Sequence, residues 1–218
     1  MGVLKTLWSL VLPTTCPGCR KHGYPVCLAC EALLQLAPTA PPPVGVDAWA
    51  APFAYEGVAR NLITQIKYRG GHSASEWLAQ EMLDCAPARQ SIARQSLLIT
   101  WAPTTRARRR GRGFDQAEVL ARAVGKRMSQ PTRSLLRRSP GPPQTGLSGA
   151  DRRNAPSFST VHPVSGLILL IDDVATTGAT LSAAAESLKK SGATRVVALT
   201  AARTPARPNI RSSGESLN

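Results

Sequence analysis

No stretch of this chain approaches the roughly 20 consecutive apolar residues that a membrane-crossing helix needs, so a spanning helix is excluded. Aromatic residues are scarce, ten in 218, and only Phe114 stands among the arginines, which gives little support to a base-stacking platform for nucleic acid. Acidic residues are scarce too: 13 Asp and Glu face 27 Lys and Arg, for a formal charge of +14. Lysine is rare within that basic set, with six of the 27. An arginine-weighted charge favours planar, bidentate recognition of phosphate or carboxylate, and so an anionic partner; the bland alternative is a solvated basic face. A secretory signal is not expected either. The only candidate, Val3 to Leu12, carries Lys5 inside its apolar stretch, lacks a small-x-small cleavage site and runs straight into Pro13. Leu4, Leu7, Trp8 and Val11 suit a short amphipathic helix better, and a cytoplasmic location is expected.

Cysteine is sparse but ordered. In "CPGCRKHGYPVCLAC", Cys16, Cys19, Cys27 and Cys30 form two C-x2-C knuckles separated by seven residues. Two such knuckles let four thiolates converge tetrahedrally on one Zn²⁺, and a site with four protein ligands is closed, so the metal is expected to be structural. Disulfides are the alternative, although a C-x2-C pair is strained for bridging and nothing else suggests secretion. Cys85 reads as a small buried apolar residue. After the knuckles, "QLAPTAPPPVGV" from Gln35 to Val46 is proline-rich and marks a linker and a domain boundary.

Beyond that point the periodicity is α/β. Val58, Leu62, Ile63 and Ile66 are spaced as a helix that exits into Lys67, Arg69 and a double glycine; Ser75 to Leu83 reads as another helix, and Ser96 to Pro103 as a buried strand. That strand leads into Arg106, Arg108, Arg109, Arg110 and Arg112 on a glycine-punctuated loop. Asp115 and Glu118 then make a capping-box-like start for a helix burying Leu120 and Val124. In "LILLIDDVATTGATL" the branched run Leu167 to Ile171 has the pattern of a strand buried on both faces, with Asp172 and Asp173 at its carboxyl end. A tight turn follows, and then Leu181, Ala184, Ala185 and Leu188 at helical spacing, Gly192 as a C-cap glycine, and a short strand over Val196 to Leu199. Both loops lie where open α/β sheets bind ligands, so carboxylates and bare amides are expected to face guanidinium groups across one crevice.

These residues carry a resemblance. "LLIDDVATTGAT" resembles the ribose-phosphate signature of type I phosphoribosyltransferases. "CPGC…CLAC", "YEGVARNLITQIKYRG", "RGRGFDQAEVLA" and "PPQTGLSGADRRNAPSFS", in that order from about Leu7 to about Ala202, resemble the ComF family of competence-associated, phosphoribosyltransferase-like proteins. The resemblance implies an α/β chain with the type I phosphoribosyltransferase fold, a mostly parallel sheet flanked by helices, preceded by a small four-cysteine zinc-ribbon-like unit. It divides the chain into a zinc-binding unit and linker over 1–46, a phosphoribosyltransferase-like domain over 47–203, and a polar, disordered tail over 204–218.

It also implies roles. Asp172 and Asp173 would accept hydrogen bonds from the ribose hydroxyls of phosphoribosyl pyrophosphate. Thr176, Thr177, Gly178, Ala179 and Thr180 would hold the 5′-phosphate, in accord with the glycine, the run of N–H groups and the helix N-terminus there. Arg108 to Phe114 corresponds to the pyrophosphate loop, with Lys67, Arg112 and Gly113 as contacts to the leaving group, Lys67 and Arg112 being the catalytic candidates. Arg138 to Phe158 corresponds to a mobile hood carrying Gln144, Arg152, Arg153 and Asn154. Mg²⁺ is expected with the substrate. The chain departs from the pattern at three positions. Several type I enzymes carry an acidic residue where Thr176 stands, which puts a purine acceptor in doubt; Asp115 replaces the usual asparagine, and Trp101 a smaller residue.

Three functional readings follow: a phosphoribosyl pyrophosphate-binding protein of DNA uptake or DNA metabolism, an active phosphoribosyltransferase with an unnamed nitrogen nucleophile, and a basic nucleic-acid-binding adaptor with a vestigial site. Single-stranded DNA and other competence proteins are the corresponding partners.

Overall fold

The structure is a computed structural model, and residues 15–16, 18–23, 25–66, 72–87, 97–139 and 156–205 are described. In chain order they form α1 (Leu28–Glu31), β1 (Ala48–Ala50), β2 (Phe53–Ala54), α2 (Gly57–Gln65), α3 (His72–Asp84), β3 (Leu97–Trp101), α4 (Arg106–Arg112) and α5 (Gln116–Met128). A hairpin of β4 (Leu136–Arg138) and β5 (Phe158–Thr160) follows, then β6 (Gly166–Ala175), α6 (Ala179–Lys190) and β7 (Ala193–Arg203).

The main sheet is parallel. β1 and β2 both pair with β7, β7 with β6, and β6 with β3, with Leu97 opposite Leu167 and Trp101 opposite Ile171. β6 sits in the middle because its branched residues serve both faces. Leu167, Leu169 and Ile171 point into a core shared with Leu62, Leu78, Met82, Leu120 and Val124. Ile168 and Leu170 point the other way, onto Leu181, Ala184, Ala185 and Leu188 of α6. The two sets alternate as the strand's period of two demands, and each fully buried Leu or Ile contributes about 1.5–3 kcal/mol. The mostly parallel sheet flanked by helices is therefore as the sequence led one to expect.

Three local features differ from the sequence reading. The strand does not end at the aspartates: Asp172 pairs with Thr200 and Val174 with Ala202, because β7 runs on to Arg203 and supplies partners. Apolar patterning marks burial, whereas pairing continues as long as a neighbouring backbone is present. The arginine segment is a short helix rather than an open loop. Thr105 caps it through Oγ1, which accepts from Arg108 N at 3.3 Å, and Gly113 ends it at φ 81°; arginine is a good helix former, which the two glycines obscured. At α5, Asp115 is the cap, but Glu118 pairs with Arg122 and Arg109 instead of reaching back to complete a capping box.

The proline-rich stretch lies along the sheet edge. Ala54 N donates to Gln35 O, Ala37 N to Pro52 O, and Arg203 Nη1 to Pro38 O. Proline lacks a donor but keeps its carbonyl acceptor, so such a segment can still be bonded from outside. Its exit is fixed by Asp47, which accepts from Val196 N at 2.7 Å and pairs with Lys189 at 2.9 Å. No helix among the described residues is long and apolar enough to cross a membrane.

Candidate functional site

A crevice follows from the order of the strands. The chain leaves β6 through α6 towards β7, on one side. It leaves β3 through α4 and α5 towards residues 131–133, which run along the other edge of β3, where Ile99 N donates to Pro131 O and Arg133 N to Ile99 O. The two connections part, so the carboxyl ends of β3 and β6 are left uncovered between them, as at the switch point of a doubly wound sheet. A cavity of about 240 Å³ opens there. β6 supplies Asp172 and Asp173, the turn after it Thr176, and the first turn of α6 Thr180; Arg108 comes from α4, Asp115 is the N-cap of α5 and Arg138 ends β4.

The carboxylates are crowded. Asp172 is 7% exposed and Asp115 3%. Asp172 Oδ1 accepts from Asp173 N at 2.9 Å, and Asp173 Oδ1 from Val174 N at 2.8 Å. Burial, then the neighbouring Asp173 charge, pushes the Asp172 carboxyl well above the usual range, with Asp115 adding to the push. Asp115 is raised as well, first by burial; the charges of Asp173 and Glu118 add to that, against the opposing N–H bonds from Thr104 and Ala117. Those two bonds, at 2.7 and 3.1 Å, tie the end of β3 to the first turn of α5. Such a group can accept donors from a ligand's hydroxyls or sit beside a bound cation, since either relieves the repulsion. Carboxylate oxygens are the ligand type that Mg²⁺ takes, one or two at a time alongside substrate phosphates, although among the described residues only the cysteines converge as a metal-holding group.

The turn after β6 leaves backbone amides at a helix N-terminus without a side-chain cap. Gly178 lies at φ 78°, ψ −1° as the N-cap of α6 with no side-chain cap, and Ala179 N donates only weakly, at 3.4 Å, to Thr177 Oγ1. Early amides of a helix have no partners of their own, and the helix adds its positive end.

Asp172, Asp173, Thr176 and Thr180 are thus brought to one cavity, with Gly178, Thr177 and Ala179 on the turn beside them and the last two exposed. Gly113 is exposed at the end of α4, away from the lining of the cavity. Arg112 closes α4, and its side chain lies outside the described residues, as do Lys67, Gln144, Arg152, Arg153 and Asn154. Two charged residues of the cavity, Asp115 and Arg138, had no ligand role assigned from sequence. Asp115 was legible only as a cap, and Arg138 only as the edge of the hood; their convergence depends on where α5 and the hairpin pack.

The cysteines form a second centre. The ligand atoms of Cys16, Cys19, Cys27 and Cys30 all lie within 4.8 Å of one another, and none is in a disulfide. Four sulfurs around one tetrahedral Zn²⁺ would stand about 3.8 Å apart, given Zn–S near 2.3 Å, so the set fits that ion. Gly18 is required there, because a β-carbon would come 2.6 Å from Cys30 Sγ. Burial tends to raise Cys16, but N–H groups of Cys27, Cys19 and Gly18 outweigh it and hold the thiol at about 6. Cys30 is pushed up to about 12, first by burial and then by the surrounding thiols. The opposite directions are those of one cluster losing its first proton easily and its last with difficulty. Cys85 stands apart, half-buried, its thiol donating to Met82 O.

No protein-family model and no curated protein matches the chain. Solved structures similar to it include orotate phosphoribosyltransferase from Aeropyrum pernix, at 20% identity over 66% of this chain and 76% of that one, with a TM-score of 0.36. Purine phosphoribosyltransferase from Pyrococcus horikoshii is similar at 15% identity over 61% of this chain and 79% of that one, with a TM-score of 0.36. The allosteric regulatory enzyme of purine biosynthesis is similar at 16% identity over 64% of this chain and 30% of that one, with a TM-score of 0.39.

Proposed function

We propose that the chain binds phosphoribosyl pyrophosphate with Mg²⁺ in the crevice between β3 and β6, as a phosphoribosyltransferase-like protein of the ComF type acting in competence or DNA metabolism. The observation that carries this reading is the pairing, in one cavity, of the Asp172–Asp173 carboxylates with Thr176 and Thr180, which flank the Gly178 turn at the N-terminus of α6. Neighbouring carboxylates near the carboxyl end of a strand suit vicinal hydroxyls, and a glycine turn opening a helix suits a terminal phosphate one sugar away. The ribose hydroxyls would bond Asp172 and Asp173, and the 5′-phosphate the amides and hydroxyls of residues 176–180.

Transfer would break the bond from the anomeric carbon to pyrophosphate and form one to a nitrogen nucleophile, whose proton leaves to solvent or a base. Positive character grows on the sugar while negative charge grows on the leaving pyrophosphate. Mg²⁺ bound with the substrate would neutralise part of that leaving charge. Arg108 at the cavity, with Lys67, Arg112 and Gly113, would stabilise the rest, and Arg152, Arg153 and Asn154 would close over the substrate and exclude water. Thr176 offers no carboxylate base, so a purine acceptor is disfavoured. Zn²⁺ at Cys16, Cys19, Cys27 and Cys30 would be structural. Domain limits of 1–46, 47–203 and 204–218 and a cytoplasmic site of action belong to the same proposal.

Calorimetric titration with phosphoribosyl pyrophosphate and Mg²⁺ tests it, and absence of binding at millimolar ligand would sink it. Incubation with labelled substrate and a cell extract, read by mass spectrometry for ribosylated products, separates an active transferase from a binding protein. One observation favours a nucleic-acid role alongside: Arg106, Arg108, Arg109 and Arg110 are all exposed on α4, and among the described residues only Arg109 has an acidic partner, Glu118 at 3.7 Å. Single-stranded DNA would bind there through its phosphates.

A further inference from the structure

We propose that Arg138 forms a second oxyanion-binding subsite of the cavity, separate from the phosphate turn of residues 176–180. This rests on the reading of the cavity as a phosphoribosyl site and adds a recognition residue to it. Arg138 is the last residue of β4 and enters the cavity from the hairpin, whereas the turn enters from β6. Its guanidinium lies 5.5 Å from the centroid of the Phe158 ring, directly across the hairpin in the pairing register, so the ring supports the guanidinium by a cation–π contact. The group is half-buried, and among the described residues no carboxylate lies within ion-pairing distance of it.

A half-buried arginine with no carboxylate partner among the described residues is stabilised by a ligand anion that completes it. Burial and the neighbouring Arg108 charge hold this guanidinium below the ordinary arginine range, against the pull of Asp172 and Asp115. An incoming anion would offset both effects at once. Two sources of such an oxyanion fit the proposed reaction: the leaving pyrophosphate, or an acceptor that itself carries a carboxylate. Arg138 and Arg108 together suit either one, since each presents a planar fork.

Titration of the full chain, wild type against Arg138→Gln and Arg138→Lys, reads the subsite with three probes: Mg²⁺ pyrophosphate, ribose 5-phosphate, and pyridine carboxylates added with saturating phosphoribosyl pyrophosphate. Arg138→Gln should weaken either pyrophosphate or the pyridine carboxylates roughly tenfold or more, the factor for one charge-assisted hydrogen bond. Ribose 5-phosphate should bind as before, and Arg138→Lys should recover part of the loss. Loss on pyrophosphate assigns the oxyanion to the leaving group; loss on the carboxylates assigns it to the acceptor. The proposal is overturned if the glutamine variant binds all three probes like wild type, or if ribose 5-phosphate falls in step with the others, which would mean a disturbed fold. A wild type that binds neither pyrophosphate nor the carboxylates overturns it too. If wild type binds pyrophosphate but neither ribose 5-phosphate nor phosphoribosyl pyrophosphate, the phosphoribosyl reading fails while Arg138 is still decided by the pyrophosphate arm.

Discussion

Pro43 lies against Gly178: a β-carbon on that glycine would stand 2.8 Å from Pro43 Cγ and 3.1 Å from Pro43 Cβ. The proline-rich segment therefore buttresses the turn that would take the phosphate. The contact is held on both sides, by the bonds of residues 35–38 to the sheet edge and by Asp47 on Val196 and Lys189. Flexibility of sequence composition is thus converted into a fixed support.

Gly178→Ala should lose phosphoribosyl pyrophosphate binding and cost about 1–2 kcal/mol of stability from the left-handed backbone alone, with the Pro43 contact adding to it. Adding Pro43→Gly should return the steric part and leave the backbone part. Thermal melts of the single and double variants measure this; a double variant no better than the single would show that Pro43 does not press on the turn.

Asp172 behaves differently from an exposed strand-end carboxylate, which is what its position after the apolar run suggests. Only 7% of it is exposed, and burial with Asp173 raises its proton affinity. Asp172→Asn keeps the shape and removes a buried charge, so the fold should be as stable or more stable, while ligand affinity should fall sharply. Melting temperature and titration calorimetry should move in opposite directions. A drop in both would mark Asp172 as structural.

What the sequence disclosed and what it hid follow one physical line. Leu167 to Ile171 and the spacing of Leu181, Ala184, Ala185 and Leu188 are local patterns of burial, and they locate β6, its helix and the turn between them. Asp115 and Arg138 carry no such local pattern in a ligand role. One is 11 residues from Thr104, its backbone partner, and the other reaches the cavity only because the hairpin packs beside α6. The arginine helix was hidden for another reason, since Gly111 and Gly113 read as loop punctuation while Thr105 and Gly113 turn out to be its two ends.

The cysteine centre should be felt by the whole fold. Cys16, Cys27 and Cys30 are packed in the same core as Phe53, Ala59 and Leu62, and a β-carbon on Gly18 would touch Val58 of α2 at 3.3 Å. Chelation, or Cys16→Ser with Cys19→Ser, should therefore lower the main melting transition as well as loosen residues 15–35, because bound metal is folding free energy. Protein purified without metal and with an unchanged melt after chelation would rule this out.

If α4 binds single-stranded DNA, affinity should fall with salt and change little with base sequence. Arg106→Gln with Arg110→Gln removes two exposed cations and should flatten the logarithmic salt slope by about 1.4, at about 0.7 per phosphate contact on a single strand. Fluorescence anisotropy at several salt concentrations reads the slope, and an unchanged slope would place any DNA contact elsewhere.

The raised carboxyls give opposite pH signatures for stability and for binding. Asp172 and Asp115 hold protons more tightly folded than unfolded. Between the unfolded value and the raised folded one, the folded state therefore binds more protons, and stability falls as pH rises through that window. The contribution is fully present below the ordinary carboxylate value. Ligand binding runs the other way. Mg²⁺ and ribose hydroxyls need the carboxylate, so binding should release protons and tighten as pH rises across the same window, above the ordinary carboxylate range. Asp172→Asn should remove most of the stability trend and leave the smaller one from Asp115. Melts and titrations at matched pH values decide it: if affinity for phosphoribosyl pyrophosphate with Mg²⁺ is flat across that range while stability slopes downward, the buried carboxylates do not meet the ligand.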